Sequence, residues 1–145
     1  MADIRRITER VSVSPQICIE DVSEIAAQGF RTLMNNRPDG EGADQTPSAI
    51  IEAEARKHDL NYVYLPIVSS AITAQNIADF GKVLTEAEGP ILAYCRTGTR
   101  CTNMWALAEA GNCGTDQLLK AAAEAGYDLR GLAPTLDSLA SQRKA

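Results

Sequence analysis

Histidine is nearly missing from this chain: it occurs once, at His58. Cysteine occurs at Cys18, Cys95, Cys101 and Cys113, but never as a Cys-x2-Cys pair. Structural zinc sites draw on closely spaced pairs of such ligands, so no metal is expected. No basic patch stands out, and the net charge is -5, which makes nucleic acid an unexpected partner. No apolar run approaches the roughly 18 residues that a membrane span needs. The first ten residues are charged and contain no apolar h-region, so they do not read as a secretory signal. The expectation is a cytoplasmic protein with no membrane partner, whose thiols are reduced. No repeat or low-complexity tract appears.

What is present is ordinary globular material. Hydrophobic residues make up 45% and charged residues 23% of the 145 positions, which argues against disorder and against a coiled coil. A chain of this length buries a core without disulfides or metals, and a single domain over 1–145 is expected.

Residues 6–13 read as a first strand, broken by Ser14-Pro15. Glu20 and Asp21, ahead of Val22 and Ile25, open a short helix that ends at Gly29. Residues 30–34 form a strand candidate. The turn-rich stretch 35–42 is a loop. Ser48 is read as the cap of a helix over 49–57. Residues 62–67 are the next β-rich run. Thr73 opens a helix carrying Ile77, Phe80, Val83 and Leu84 on one side, and Gly89-Pro90 closes it. Residues 90–94 read as a buried strand, followed after a loop by a helix over 101–110. Thr115 is read as the cap of a helix over 116–125, and Pro134 starts a last helix. Strands that alternate with helices imply an α/β domain: three layers around a mainly parallel central sheet. In such sheets ligands bind beyond the carboxyl ends of the strands.

One loop stands at that position, Cys95-Arg96-Thr97-Gly98-Thr99-Arg100. Gly98 allows successive backbone N–H groups to face one concave side. The helix that follows points its N-terminal N–H groups at the same spot. Arg100 adds a planar cation suited to an oxyanion, and Arg96 a second positive charge. The same features stabilise a thiolate, and cysteines so placed have pKa values of about 3.5–7.5. Cys95 is therefore expected to be a nucleophile, largely ionised near neutral pH. Two arginines around a thiol argue against a merely packed cysteine.

The Cys-Arg-x-Gly-x-Arg loop resembles the active loop of rhodanese-type sulfurtransferases. The wider order resembles a bacterial family of dual-specificity-phosphatase-like domains, the beta-lactamase-hydrolase-like phosphatases or sulfurtransferases. The stretches that carry it are Val13-Ser14-Pro15-Gln16-Ile17, Glu20-Asp21-Val22, Gly29-Phe30, Asn36-Arg37-Pro38-Asp39, Leu65-Pro66-Ile67 and Ala93-Tyr94 with the loop itself. The resemblance implies a fold like that of protein tyrosine and dual-specificity phosphatases, no cofactor, and Cys95 and Arg100 as the catalytic pair. Some members of the family are fused to persulfide dioxygenases, which makes such an enzyme a candidate partner.

The resemblance leaves two chemistries open. Tyrosine-phosphatase-type enzymes use His-Cys-x5-Arg, whereas this chain has Cys95-x4-Arg100 with Tyr94 in place of the histidine. They also use an aspartate on an earlier loop as general acid, and the corresponding segment 68–73 has no carboxylate. General acid help is worth about 10²–10⁴-fold where an alkoxide must leave, while sulfite or a thiolate leaves unaided. The main expectation is therefore a sulfurtransferase, in which Cys95 takes sulfane sulfur from a small anionic donor, thiosulfate or glutathione persulfide, and passes it to a thiol or cyanide. The alternative is a cysteine-dependent phosphatase acting on a phosphoester through phospho-Cys95.

Other residues carry two readings each. Cys101 could resolve an oxidised or persulfidated Cys95 as a disulfide, or simply pack at the helix start. Arg37 could line the pocket, though a surface turn held by local ion pairs with Asp39 and Glu41 is the favoured reading. Thr97 and Thr99 could bond a bound anion or only shape the turn. Asp116 reads as a first-turn helix acid, His58 as a solvated side chain, and Trp105, Phe80 and Phe30 as core. Cys18 and Cys113 read as inert.

Overall fold

Four short strands run parallel and finish at one level. They are β2 (Val11–Ser14), β3 (Thr32–Asn35), β4 (Asn61–Tyr64) and β5 (Ile91–Tyr94), with Tyr94 in register with both Ser14 and Asn35, and Asn35 in register with Tyr64. The two-residue strand β1 (Arg5–Arg6) pairs antiparallel with β2, and the sheet order is β1-β2-β5-β3-β4. The structure is a computed structural model and describes residues 2–144.

Among the described residues, α1 (Asp21–Ala27), α2 (Ser48–Lys57) and α3 (Ala74–Glu86) connect the parallel strands, and α4 (Thr99–Glu109), α5 (Thr115–Glu124) and α6 (Ala133–Lys144) follow β5. The alternation along β5 sorts its side chains onto two faces. Ile91, Ala93 and Cys95 join Phe80, Met104, Leu118 and Leu136 in the core under α3–α6. Leu92 and Tyr94 join Val22, Ile25, Ile51 and Ala55 under α1 and α2. The result is three layers, as the sequence pattern implies. Full burial of a side chain such as Phe80 stabilises the fold by about 1.5–3 kcal/mol.

Several boundaries differ from the sequence reading for local hydrogen-bonding reasons. The expected strand over 6–13 is split into a hairpin. The Thr8 hydroxyl accepts from the N–H groups of Arg10 and Val11, which turns the chain where periodicity alone would continue it. Ser48 does not cap α2. Its N–H is taken by Asp39 Oδ1 at 2.8 Å, so a loop carboxylate does the capping, and the Ser48 hydroxyl bonds Tyr62 Oη at 2.7 Å. Thr115 likewise begins α5 rather than capping it, because its hydroxyl donates to Asp137 of α6 at 2.6 Å. Thr73 behaves as expected. Its hydroxyl accepts from Asn76 N–H at 3.0 Å and Asn76 Oδ1 accepts from its N–H at 2.9 Å, a reciprocal cap.

Candidate active site

Four loops leave the carboxyl edge of the sheet together. The loop after β5 carries Cys95. Cys95 N–H donates to Ser14 O at 3.3 Å, which ties the loop base to the end of β2, and Gln16 N–H donates to Arg96 O at 3.2 Å. Gly98 has φ +90, a conformation that suits glycine, and it reverses the chain into α4. The Gly98 N–H thereby points inward and donates to Cys95 Sγ at 3.1 Å. The Gly98 carbonyl accepts from the Thr102 N–H at 3.1 Å and the Thr102 hydroxyl at 2.8 Å, locking the first turn of the helix.

Cys95 is 1% exposed. Its thiol is nevertheless held down at about 6. The largest cause is a hydrogen bond from the Cys101 thiol; burial opposes it, and the backbone N–H groups of Cys101, Gly98 and Thr97 add to the lowering. Cys101 itself is fully buried and pushed well above its usual value, first by burial and then by its partner sulfur. The two neighbouring thiols are thus moved apart, Cys95 down and Cys101 up.

Arg100 stands on the first turn of α4 with a side chain only 10% exposed. Its Nη1 donates to Ile67 O at 2.9 Å, Glu41 Oε2 at 3.0 Å and Asn36 O at 3.3 Å, and its Nη2 donates to Glu41 Oε1 at 3.1 Å. The buried Nε has no partner. A buried guanidinium donor left unbonded is costly unless a ligand supplies the acceptor, so this N–H is a ready donor for an oxyanion.

Arg37 departs from the surface-turn reading. It does pair with Glu41, at 3.1 Å, but it is 7% exposed and also donates to Gln16 Oε1 at 3.1 Å. The cause is the Asn35-Asn36 turn. Asn35 Oδ1 accepts the Arg37 N–H and Asn36 Nδ2 donates to Leu65 O, folding the loop inward. Glu41 therefore joins Arg37 to Arg100. Burial pushes its carboxyl up, but the hydrogen bonds from the two arginines outweigh this and hold it below its ordinary value. Two adjoining clefts open here, about 310 and 420 Å³, and share Arg37, Glu41 and Arg96; Val68, Ser69 and Ser70 wall the first, Gln16 and Asp44 the second.

The remaining candidates divide clearly. Arg96 is exposed and lines both clefts. The Thr97 and Thr99 hydroxyls bond each other at 3.1 Å and Thr97 Oγ1 accepts the Thr99 N–H, so they shape the turn. Asp116 stands in the first turn of α5. His58 is only one-third exposed and sits 3.2 Å from Glu54, rather than free in solvent. Trp105 and Phe80 are core under α3–α6, and Phe30 is half-buried against the other core, under α1 and α2. Cys18, beside Asp21, and Cys113, beside Glu109, both have raised thiols: Cys18 chiefly through its hydrogen bond to Asp21, Cys113 chiefly through burial. Gln16 and Tyr127 contact the loop; Gln16 lies in a stretch that carries the family resemblance, whereas Tyr127 has no signal in the sequence. Tyr94 points to the opposite face of the sheet from Cys95. Among the described residues no cluster of three or more His, Cys, Asp or Glu could hold a metal, and no helix is long and apolar enough to cross a membrane.

The model of the phosphatase-like domain of beta-lactamase hydrolase-like proteins matches residues 3–112. The chain belongs to this family. The beta-lactamase hydrolase-like protein of Agrobacterium fabrum is 36% identical over 105 residues, covering 72% of this chain and 24% of the relative. That of Xylella fastidiosa is 32% identical over 125 residues, or 85% of this chain and 29% of the relative. The chain thus spans about a quarter of the length of these curated relatives. A crystal structure from Neisseria meningitidis, provisionally assigned as a phosphatase, is 31% identical with a TM-score of 0.85 over 94% of this chain and 97% of its own. The fold is that of cysteine-dependent phosphatases. The descriptions of the family and of the Neisseria structure both name a phosphatase, which favours the second of the two chemistries left open by the sequence.

Proposed function

We propose that the domain is a cysteine-dependent phosphatase. The observation that supports this most is the pairing of a thiolate, buried in an N–H cradle, with an Arg100 whose Nε has no partner. In this reading a phosphomonoester enters the cleft between Arg37, Arg96 and Arg100, and one of its oxygens takes the Arg100 Nε–H. Cys95 Sγ attacks phosphorus in line as the ester oxygen departs, leaving a phospho-Cys95 that water hydrolyses. The loop N–H groups stay in place as charge moves from sulfur to the phosphoryl oxygens, so they lower the barrier without reorganising.

Proton supply narrows the substrate class. Glu41 and Asp44 are the carboxylates that line the clefts, and Glu41 is held ionised between two arginines. Segment 68–73 has none. An aryl phosphate, whose phenolate leaves more readily than an alkoxide, is therefore the better substrate. The test compares p-nitrophenyl phosphate with a simple alkyl phosphate, using the parent protein and Cys95→Ser. Cys95-dependent release that strongly prefers the aryl ester supports the reading; equal rates on both esters argue against it.

Sulfur transfer stays as a second reading because segment 68–73 carries no carboxylate and the loop is Cys95-x4-Arg100. Cys95 thiolate would take the outer sulfur of thiosulfate, forming a persulfide as sulfite leaves with its electron pair. A gain of one sulfur atom on Cys95, removable by cyanide, without phosphate release from the aryl ester would favour it over the phosphatase.

A further inference from the structure

The peptide between Thr97 and Gly98 is held at both ends. On one side its N–H donates to Cys95 Sγ at 3.1 Å. On the other its carbonyl accepts from the Tyr127 hydroxyl at 3.1 Å. The C=O and N–H of a trans peptide lie in one plane and point in opposite directions. Fixing the oxygen therefore fixes the direction of the hydrogen.

Tyr127 also closes the space behind the loop. A Cβ built on Gly98 would lie 2.1 Å from Tyr127 Oη and 2.9 Å from Cζ. The ring is 6% exposed, and the Arg5 guanidinium of β1 lies 5.2 Å from its centroid. Tyr127 follows α5 and lies beyond residues 3–112, the part of the chain that matches the family model. A residue from outside that stretch thus reaches the back of the nucleophile loop.

We propose that Tyr127 is a positioning residue for the nucleophile: by holding the Thr97 carbonyl it keeps the Gly98 N–H directed at Cys95 Sγ. Two effects follow from the geometry. The Gly98 N–H loses the freedom to rotate toward water, and the hydroxyl polarises the peptide so that its N–H becomes a better donor to a thiolate. Both favour ionised Cys95, whatever group the thiolate then attacks. The inference accordingly does not depend on whether the domain moves phosphoryl groups or sulfur.

The test is the pH profile of Cys95 alkylation by iodoacetamide, read by intact mass, in the full chain and in Tyr127→Phe. The variant loses one oxygen atom and keeps the ring. Its midpoint is expected to move up, so that alkylation at pH 6 falls about two- to fivefold, the scale set by partial loss of one hydrogen bond. Arg5→Leu, which strips the cation from the ring and leaves the hydroxyl, is expected to retain the parent midpoint. An unchanged midpoint in Tyr127→Phe, or an equal shift in Arg5→Leu, would overturn the assignment. A second arm uses only the parent protein labelled with ¹⁵N. The Gly98 amide resonance should titrate with the same midpoint as Cys95 alkylation; a resonance that stays flat across that range would also overturn it.

Discussion

Replacing Cys101 by alanine removes the largest single influence holding the Cys95 thiol down, the hydrogen bond from its buried neighbour. Hydrogen bonds to a charged group contribute about 1.5–3 kcal/mol, and 1.4 kcal/mol corresponds to about one pH unit. The Cys95 midpoint should therefore rise from about 6 by about one to two pH units. At pH 6 the thiolate fraction would fall from about one half to between about one tenth and one hundredth. Cys101 is fully buried on the first turn of α4, so losing its sulfur also costs about 1 kcal/mol of folding stability, small enough to leave the domain folded. Cys101→Ser keeps a donor in the same place and should retain most of the depression. The assay is the iodoacetamide rate against pH with intact-mass readout, alongside thermal unfolding. Only Cys95 should react near neutral pH, since the thiols of Cys18, Cys101 and Cys113 are all raised. A Cys101→Ala midpoint that stays near that of the parent, in a folded protein, would refute the claim that the neighbouring thiol sets the nucleophile's charge.

Two further predictions come from the same geometry. Gly98→Ala must adopt φ +90 and push its methyl group into the Tyr127 hydroxyl. The strain and overpacking together cost about 2–4 kcal/mol, and the measured result should be a lower melting temperature together with loss of Cys95 reactivity at pH 6. Glu41→Gln keeps the shape of the cleft but removes a carboxylate that competes for Arg37 and Arg100. Inhibition by inorganic phosphate should strengthen about three- to tenfold, as expected for one partly exposed charge, and an unchanged inhibition constant would show that Glu41 does not face the bound anion.

Much of this site could be read in the sequence because its parts are adjacent in the chain. A strand ending at Tyr94, a glycine three residues after a cysteine, and an arginine at the start of a helix are local signals. Together they specify a strand-to-helix anion cradle. The layered fold was legible for a similar reason: short apolar runs such as Ile91–Tyr94 alternate with helical spacing such as that of Ile77, Phe80 and Leu84. The parts that escaped are those where distant side chains replace local ones. Asp39 caps α2 from the β3 loop, so Ser48 is freed for Tyr62. Arg37 is turned inward by Asn35 and Asn36, and only the folded sheet brings Glu41 between it and Arg100. Tyr127 meets Thr97 across 30 positions of the chain. No periodicity or composition reports such contacts. Loop length and the carboxylate-free segment 68–73, features of the reacting groups, favour sulfur transfer, whereas the family match favours the phosphatase.

The most direct test of the central claim is a single-turnover experiment in which the full chain is mixed with p-nitrophenyl phosphate and quenched for intact-mass and peptide analysis. The account predicts nitrophenolate release that depends on Cys95, with an acidic limb near pH 6, and a transient gain of one phosphoryl group located on Cys95. It would be contradicted by absence of that adduct and of phosphate release from a protein whose Cys95 is still alkylated at pH 6. Such a protein would hold a reactive thiolate whose cradle does not serve phosphoryl transfer.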